Sequence, residues 1–395
     1  MSNREVYIIE GARTPFGTYG GSLAHETATS LGTVAAVEAL KRAGVAAEQV
    51  DNVVIGGVIQ SHNGSAYLAR HIALASGIPQ EVPALTVNRL CGSGLQSVLT
   101  AAKDMMLGES EIALVGGAES MSLTPYLLRG ARFGMRMGDG VAVDMLSEIL
   151  TDCHSGYPMG ITAENLAEKY HISREEQDAF AVLSHERASA ARSAGRLAEE
   201  IAPVTVKGRK GDTVVGEDEH IRPGTTMESL AKLKPAFKKD GSVTAGNASG
   251  INDGAAALVL ASGDAVKANG LKPLARVVSY GVVGVDPAYM GIGPVPAIRL
   301  ALQRAGLSTE DIALWEVNEA FASQYLSVEQ ELHLPRERTN VNGGAVALGH
   351  PVGASGARLA LSLAYELRHR RERYGVASLC IGGGQGIAAV LEYMP

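Results

Sequence analysis

Short apolar runs alternate along the chain with longer segments in which apolar residues recur every three or four positions, a pattern typical of strands alternating with amphipathic helices. One such unit occurs twice. Residues 39–50 are ALKRAGVAAEQV, and residues 301–312, which lie 262 positions later, are ALQRAGLSTEDI. In both copies the helical spacing ends at a glycine, Gly44 or Gly306, the residue type that helix C-caps favour. An acidic turn and an apolar run follow, so each copy predicts a helix, a turn and a strand.

The same offset recurs further along the chain, where CGSGLQ at 91–96 corresponds to GASGAR at 353–358. Beyond these segments, EIALVGGAES and VASLCIGGGQG both predict a buried strand that ends in glycines, with four extra residues in the second copy. Two copies of one α/β unit are therefore expected. Strands that alternate with long helices predict mostly parallel sheets covered by helices on both faces.

Residues 121–243 have no counterpart in the second copy and differ from it in composition. They contain a Met- and Arg-rich segment, a charged amphipathic helix pattern and a hairpin pattern with its turn at Gly211-Asp212. These features predict an inserted domain. The expected division is a first half of residues 1–120 and 244–268, an inserted loop domain of residues 121–243 and a second half of residues 269–395.

Composition and charge disfavour several classes of protein. The 395 residues are 46% hydrophobic and 19% charged, which is typical of a globular chain with a large core. The net charge is −7 and no long run of Lys or Arg is present, which disfavours nucleic-acid binding. No window approaches about 18 uninterrupted apolar residues, and the first residues lack a cationic segment followed by a long apolar one. We expect a soluble, cytoplasmic protein without a membrane span.

Cysteine spacing and short motifs disfavour a metal protein. Cys91, Cys153 and Cys380 are widely spaced, so they indicate neither a disulfide framework nor a CxxC metal pair. The sequence contains no HExxH motif, EF-hand loop or P-loop. The 47 glycines are instead concentrated in short clusters such as VNGGAVALGH and CIGGGQG, which indicate a site lined by closely approaching backbone.

Cys91 is a candidate nucleophile. It follows an apolar strand pattern, PALTV, and a three-residue loop, and it precedes a segment with helical spacing. Its sulfur is therefore expected at a helix N-terminus, where unpaired N–H groups and the helix dipole lower the pKa of a thiol. A free cysteine is more often a small buried hydrophobic residue, so position alone leaves both interpretations open.

Three further residues are candidates for the same site. His350 precedes the helix start that the repeat makes equivalent to that of Cys91, although a histidine in a glycine loop is usually structural. Cys380 is followed by three glycines whose N–H groups suit an oxyanion, although by itself it would be a core cysteine. Asn318 ends a strand of the second copy, where its amide either positions water or polarises a carbonyl, or instead caps the next helix. Together these residues suit acyl transfer through a thioester.

The chain resembles the thiolase family along its whole length. The resemblance is carried by ordered motifs: VNRLCGSGLQSV, GGAESMS, PMGITAENLA, VTAGNASGINDGAA, MGIGPVPA, EVNEAFA, NVNGGAVALGHPVGASGAR and CIGGGQG. It implies an α/β thiolase fold of two similar βαβαβαββ halves, stacked in five layers, with a loop domain inserted in the first half. This implied fold agrees with the internal repeat.

The resemblance also implies a role for each candidate. Cys91 would carry the acyl group, and His350 would deprotonate its thiol and help to form one oxyanion hole. Asn318 would hold the water of that hole, and Cys380 would exchange the α-carbon proton of acetyl-CoA. The N–H groups of Cys91 and Gly382 would form a second hole.

Coenzyme A (CoA) and acyl-CoA are implied as substrates, with no permanently bound cofactor and no metal. The residues implied to contact CoA or the acyl group are Arg222 and Ser229 at the nucleotide end, Ser249 at the pantetheine, and Leu150, Met159, Met290 and Phe321 at the acyl end. The family resemblance also implies a homo-oligomer, either a dimer or a dimer of dimers (a homotetramer).

The motifs favour one branch of the family. Pro158-Met159 stands where many biosynthetic acetoacetyl-CoA thiolases carry His-Met, and it resembles the mitochondrial-type 3-ketoacyl-CoA thiolases of fatty-acid degradation. The alternative is a biosynthetic acetyl-CoA acetyltransferase that condenses two acetyl-CoA molecules. A decarboxylating condensing enzyme would lack a second cysteine like Cys380. A non-enzymatic relative would be expected to lose Cys91 or His350.

Overall fold

The computed structural model describes residues 4–395. Its strands are β1 Val6–Arg13, β2 Gly17–Thr18, β3 Asn52–Gly56, β4 Ala84–Val87, β5 Ile112–Ser120, β6 Tyr126–Leu128, β7 Ala142–Asp144, β8 Thr151–Asp152, β9 Tyr157–Pro158, β10 Val204–Val206, β11 Thr213–Val215, β12 Asn252–Ser262, β13 Ala275–Gly284, β14 Leu314–Val317, β15 Tyr374–Ile381 and β16 Gln385–Tyr393. Its α-helices are α1 Ala28–Ala43, α2 Leu68–Ala75, α3 Ser93–Leu107, α4 Met145–Ile149, α5 Met159–Lys169, α6 Arg174–Ser193, α7 Arg196–Glu200, α8 Met227–Ala231, α9 Gly263–Asn269, α10 Pro294–Ala305, α11 Ala322–Leu332, α12 Ala345–Leu348 and α13 Val352–Arg370.

The two halves form matching parts of one sheet. The first half contributes the strand order β4-β3-β5-β12-β1, with β2 beside β12, and the second contributes β13-β16-β15-β14. The halves meet where β1 pairs with β13 through only two residue pairs. In the first half, β4 pairs with β3 at the edge of the sheet. The equivalent strand of the second half, which would pair with β14, is reduced to one bridge between Trp315 and Thr339.

The sheet is not mostly parallel, so that prediction is wrong. Only the β3–β4, β3–β5 and β14–β15 pairs are parallel, whereas β12, β1, β13 and β16 pair antiparallel with their neighbours. The reason is clearest at β15 and β16, because only three glycines, residues 382–384, connect these two strands. A connection this short forms a hairpin, whereas a parallel pair needs a crossover of a dozen or more residues.

Helices cover the sheet in layers, which gives the five-layered thiolase fold that the motifs implied. Helices α1 and α2 pack on the outer face of the first-half sheet, and α10 and α11 pack on the outer face of the second. Helices α3 and α13 lie between the two halves of the sheet and contact each other. The predicted C-caps also occur: Gly44 and Gly306 end α1 and α10 with φ of 64° and 68°.

The central helices approach each other closely because glycines face across their contact. A Cβ at Gly94 of α3 would lie 2.6 Å from the backbone nitrogen of Ala357 in α13. Helix α13 lies equally close to strand β5, where a Cβ at Gly117 would overlap the backbone of Gly353. This packing brings the N-termini of α3 and α13, and the loops that precede them, to the centre of the molecule.

The chain between β5 and β12 forms short hairpins and helices, β6 to β11 and α4 to α8. The predicted hairpin occurs as β10 paired with β11, and the charged helix pattern forms α6, which begins with a capping box between Ser173 and Glu176. The exact limits proposed for this inserted domain stay a prediction.

Candidate active site

A cavity of about 750 Å³ lies beside the N-termini of the two central helices. Most of the predicted site residues line it: Cys91, Leu150, Met159, Arg222, Ser249, Met290, Phe321 and His350. Cys380, Gly382, Asn318 and Ser229 are not among the lining residues, and Cys380 and Asn318 are completely buried.

Cys91 lies in a tight turn just before α3. The preceding Leu90 has φ of 47°, a conformation that costs energy for a residue with a side chain, and Ser93 secures the turn by accepting the N–H of Arg89 at 2.8 Å. Burial raises the pKa of the Cys91 thiol, while the N–H of Gly382 acts in the opposite direction. The expectation that the helix N-terminus lowers this pKa is therefore wrong, because burial outweighs the N–H groups.

His350 is buried in the loop before α13, and its hydrogen bonds define its tautomer. Its Nδ1 lies 2.6 Å from Oγ of Ser355, whose hydroxyl donates to the carbonyl of Pro351 at 2.9 Å. Because the hydroxyl proton is committed to Pro351, Nδ1 must donate to Oγ, and Nε2 keeps its lone pair. Burial, with the charge of Arg358, lowers the pKa of His350 to about 3.

Burial of both side chains favours an electrically neutral pair at the centre of the site. A raised cysteine pKa and a lowered histidine pKa both favour a thiol beside an uncharged imidazole. Among the residues that the structure describes, Nε2 of His350 has no hydrogen-bond partner. This nitrogen is available to accept a proton from a substrate or from Cys91.

Cys380 is fully buried in β15, behind the cavity wall. It belongs to an apolar cluster with Met290 and Phe321, against which Met159 packs. Burial raises its pKa, and the proximity of Cys91 raises it further. The N–H of Gly382, two residues later, points to the Cys91 sulfur. The structure thus brings both cysteines and the glycine turn together.

Asn318 follows β14 and is completely buried. It does not cap the next helix, because α11 begins after Phe321 without a side-chain cap. Within residues 4–395, neither its amide oxygen nor its amide nitrogen has a hydrogen-bond partner. A buried amide with both groups free is costly unless a ligand or water uses it, which favours the binding interpretation over capping.

Two separate apolar clusters flank the cysteines. Cys91 and Leu150 pack against one that contains Met121 and Val352. Met159, Met290 and Phe321 belong to the other, around Cys380. The residues predicted for the acyl end are therefore divided, with Leu150 on the Cys91 side.

The predicted CoA contacts also divide. Arg222 and Ser249 line the cavity. Ser229 instead forms a capping box with Thr226 at the start of the short helix α8, where it is exposed. Its contact with CoA stays a prediction that the cavity lining does not support.

Several site residues escaped the sequence analysis. His220, Thr18 and Tyr19 line the cavity, and Phe237 does so in edge-on contact with Phe321, at 6.1 Å between ring centres. The segments of His220 and Phe237 carry no repeat or glycine cluster, whereas Thr18 and Tyr19 lie between Gly17 and Gly20, a glycine signal that could have singled them out.

Glu119 is a further residue of the site region, and it lies in the quoted motif GGAESMS. Its buried carboxylate accepts the N–H groups of Val58 at 3.2 Å, Ile59 at 3.0 Å and Gly353 at 2.9 Å. It thereby connects the loop after β3 to the first turn of α13, next to His350.

Two features are absent from residues 4–395. No three or more His, Cys, Asp or Glu side chains come together in a way that could hold a metal ion. None of the helices there combines the length and apolar character that crossing a membrane requires.

A cysteine and an uncharged histidine at the N-termini of paired central helices, with a second cysteine behind them, define an acyl-transfer site on a duplicated α/β fold. Residues 6–264 match the family model described as "Thiolase, N-terminal domain", and residues 271–393 match "Thiolase, C-terminal domain". The chain belongs to the thiolase family, as the motifs indicated.

Relatives and solved structures match over nearly the full chain. The human protein named "3-ketoacyl-CoA thiolase, mitochondrial" is 54% identical over 390 residues, with 98% of each chain covered. An acetyl-CoA acetyltransferase of Cupriavidus necator is 50% identical, with 98% of this chain and 99% of the relative covered. The crystal structure of the human mitochondrial thiolase in complex with CoA superposes with a TM-score of 0.97 at 53% identity, covering 99% and 98% of the two chains.

The cytoplasmic location expected from the sequence is wrong by this comparison. The human relative and its mammalian counterparts at 53–54% identity are mitochondrial proteins. Composition could not separate the two locations, because the absence of a disulfide framework and of a long apolar segment is compatible with either aqueous compartment.

Proposed function

We propose that this chain is an acyltransferase that cleaves 3-ketoacyl-CoA with CoA, giving acetyl-CoA and an acyl-CoA shortened by two carbons, in fatty-acid degradation. The observation that carries the proposal is the meeting of Cys91, His350 and Cys380 at the ends of β15 and the two central helices. The similarity to the mitochondrial 3-ketoacyl-CoA thiolases supports the degradative branch.

In the first half-reaction, Nε2 of His350 takes the proton of Cys91, and the sulfur attacks the 3-keto carbon. The bond between C2 and C3 then breaks, which leaves the acyl group on Cys91 as a thioester. The electron pair of the broken bond remains on C2, which takes the proton of the Cys380 thiol to give acetyl-CoA. Asn318, through a water, and His350 would stabilise the enolate oxyanion that forms when this bond breaks.

In the second half-reaction, a CoA thiol gives its proton to the Cys380 thiolate and attacks the thioester. The tetrahedral oxyanion lies against the N–H groups of Cys91 and Gly382. Collapse of this intermediate releases the shortened acyl-CoA, and Cys91 recovers its proton from His350. Both cysteines end the cycle as thiols, so no permanently bound cofactor is required.

Residues 121–243 would form the CoA-binding domain of this enzyme. Arg222 of this segment and Ser249, which lies just after it, line the cavity and would supply polar contacts for the nucleotide and pantetheine parts of CoA. Ser229 is a more distant candidate. The CoA complex of the human thiolase supports CoA as the substrate that occupies this cavity.

Acetylation of Cys91 tests the proposal directly. Brief exposure to acetyl-CoA should add one acetyl group to the peptide that contains Cys91, as measured by mass spectrometry, and Cys91→Ala should abolish it. Cys380→Ser should still be acetylated, but it should lose α-hydrogen exchange into deuterated water by about 10² or more. Label on Cys380 or Cys153, or unchanged exchange in Cys380→Ser, would contradict these roles.

Chain-length preference separates the degradative enzyme from the biosynthetic alternative. Pro158 lines the cavity beside Met159 and offers no side-chain donor, so an apolar acyl chain can pass. We expect six- and eight-carbon 3-ketoacyl-CoA to be cleaved at least as efficiently as acetoacetyl-CoA, because each buried CH₂ contributes up to about 0.8 kcal/mol. Pro158→His should shift the preference of kcat/KM toward four carbons. Activity confined to acetoacetyl-CoA would favour the biosynthetic enzyme.

We also propose that the chain forms a homo-oligomer, a dimer or a homotetramer. Strand β4 forms one edge of the sheet, and its Leu85 is half exposed. The hairpin of β6 and β7 carries exposed Phe133 and Met137. Both features suit contact with a second copy. Light scattering during size exclusion would give the mass, and Leu85→Arg should lower it.

A further inference from the structure

A buried ion pair anchors the segment 218–222, which carries two residues of the cavity wall. Arg13, at the end of β1, donates to both oxygens of Asp218 at 2.7 and 2.8 Å and to Glu200 at 2.8 Å. All three side chains are almost completely buried. Asp218 additionally accepts the N–H of Phe16 at 2.8 Å.

Glu219 extends this attachment toward the cavity. Its carboxylate accepts the N–H of Thr18 at 2.9 Å and that of Ser22 at 3.1 Å, and its own N–H donates to the carbonyl of Phe16 at 3.0 Å. Residues 218–219 are therefore fixed to residues 16–22, which are distant in sequence. Unlike Arg13, Glu219 is only partly buried, so its removal costs less stability.

Both sides of this contact line the cavity. Thr18 and Tyr19 lie on one side, and His220 and Arg222 follow Glu219 on the other. Burial, with the charge of Arg222, lowers the pKa of His220 to about 4, so its ring is an uncharged hydrogen-bonding group near neutral pH. An uncharged imidazole and a guanidinium suit the amide and phosphate groups of a long, mixed ligand such as CoA.

We propose that Glu219 is a positioning residue for CoA. By holding the 218–222 segment against residues 16–22, it fixes the positions of His220 and Arg222 in the wall of the cavity that would bind CoA. This inference rests on the proposed thiolase function. It predicts an effect on CoA binding and none on the chemistry at Cys91, because Glu219 touches neither cysteine nor His350.

The test compares Glu219→Ala with Glu217→Ala. Glu217 is two residues away, and its exposed carboxylate makes one ion pair, with Arg192 at 3.7 Å. We expect Glu219→Ala to raise the KM for CoA at least about fivefold with kcat within about twofold of the parent enzyme. Glu219→Gln keeps one acceptor oxygen and should be intermediate. Glu217→Ala should match the parent enzyme.

Calorimetry on the Cys91→Ala background measures CoA binding without turnover. Weaker CoA binding on adding Glu219→Ala, or Glu219→Gln if the alanine variant does not fold, supports the inference. Unchanged binding, or a lower kcat with unchanged KM in the active enzyme, overturns it. Absence of CoA binding to Cys91→Ala itself would instead contradict the proposed function, so the two failures are distinguishable.

Discussion

The hydroxyl of Ser355 controls which nitrogen of His350 can accept a proton. Its two hydrogen bonds hold the imidazole with Nδ1 protonated and Nε2 free. In Ser355→Ala the ring can adopt either tautomer and can rotate, so the base is misplaced in part of the molecules. We expect kcat/KM for thiolysis to fall roughly tenfold or more.

The control for this change is Ser362→Ala, two turns further along the same helix and also buried. It should leave kcat/KM within about twofold of the parent value, as expected for a residue that takes no part in the reaction. If both alanine variants lose activity equally, general damage to α13 explains the loss and the tautomer argument fails. Melting temperatures of all three proteins would show such damage.

The protonation state of Cys91 in the free enzyme can be measured by alkylation. Because burial raises the pKa of this thiol, its reaction with iodoacetamide should be slow at neutral pH and rise only above the range of a free thiol, about 8.5. Exposed Cys153 provides an internal comparison on the same chain. A rate for Cys91 that reaches its plateau below about pH 7 would show a thiolate–imidazolium pair instead.

At the scale of single residues, candidates could be singled out from the sequence, whereas their environments could not. Cys91, His350, Cys380 and Asn318 were proposed because they end repeated strands or begin repeated helices. The pKa of Cys91 was predicted in the wrong direction, since burial depends on Met121, Leu146 and other residues of distant segments. His220 was missed because it follows Asp218 and Glu219, whose contacts are with residues 13–22, about 200 positions earlier in the sequence.

At the scale of elements, the contact between α3 and α13 determines how the two halves of the site meet. Gly94→Ala would place a methyl group against the backbone of α13, which cannot yield as a side chain would. Such overpacking costs about 1–3 kcal/mol. We expect a lower melting temperature together with a loss of acetylation of Cys91, because the separation of Cys91 and His350 changes.

Gly263→Ala is the matched control, since the first position of α9 leaves only ordinary contact distances around an added Cβ. This variant should keep both its melting temperature and its acetylation rate. Loss of stability without loss of acetylation in Gly94→Ala would mean that the helix contact supports the fold and not the geometry of the site.

The repeat made the elements predictable, but it did not predict how their strands pair. Helices α1 and α10, with their glycine caps, and the strands after them lie where the periodicity placed them. The predicted strand direction was wrong because fully buried strands are apolar whether their neighbours are parallel or antiparallel. The reduction of one strand to the bridge at Trp315 also left no sequence signal.

At the scale of the whole molecule, buried uncharged histidines make stability depend on pH. Burial lowers the pKa of His185 and His220 to about 4 and that of His350 to about 3, below the value near 6.5 of an unfolded chain. Between pH 6.5 and 4 the unfolded chain therefore binds protons that the folded chain does not. Stability contributed by these groups is present above pH 6.5 and is lost as the pH falls.

His185→Gln isolates one of these contributions. Its Nδ1 accepts the N–H of Arg222 at 3.2 Å, and a glutamine oxygen can do the same. Between pH 7 and pH 5, the free energy of unfolding should fall by about 1–2 kcal/mol less in this variant than in the parent, measured by denaturant titration. Exposed His25→Gln should show the pH dependence of the parent. Equal slopes in all three proteins would contradict the prediction.

The pairing of β12 has a consequence for how the protein is made. Strand β1 pairs only with β12 and β13 in the sheet, and β12 begins at Asn252, 132 residues after β5 ends at Ser120. At a synthesis rate of about 5–20 residues per second, β5 waits roughly 7–25 seconds, and β1 roughly 12–48 seconds, before their common neighbour β12 has been made. Residues 121–243, which we propose to bind CoA, are made during this delay, so we expect the nascent chain to need protection from aggregation until residue 262 has been added.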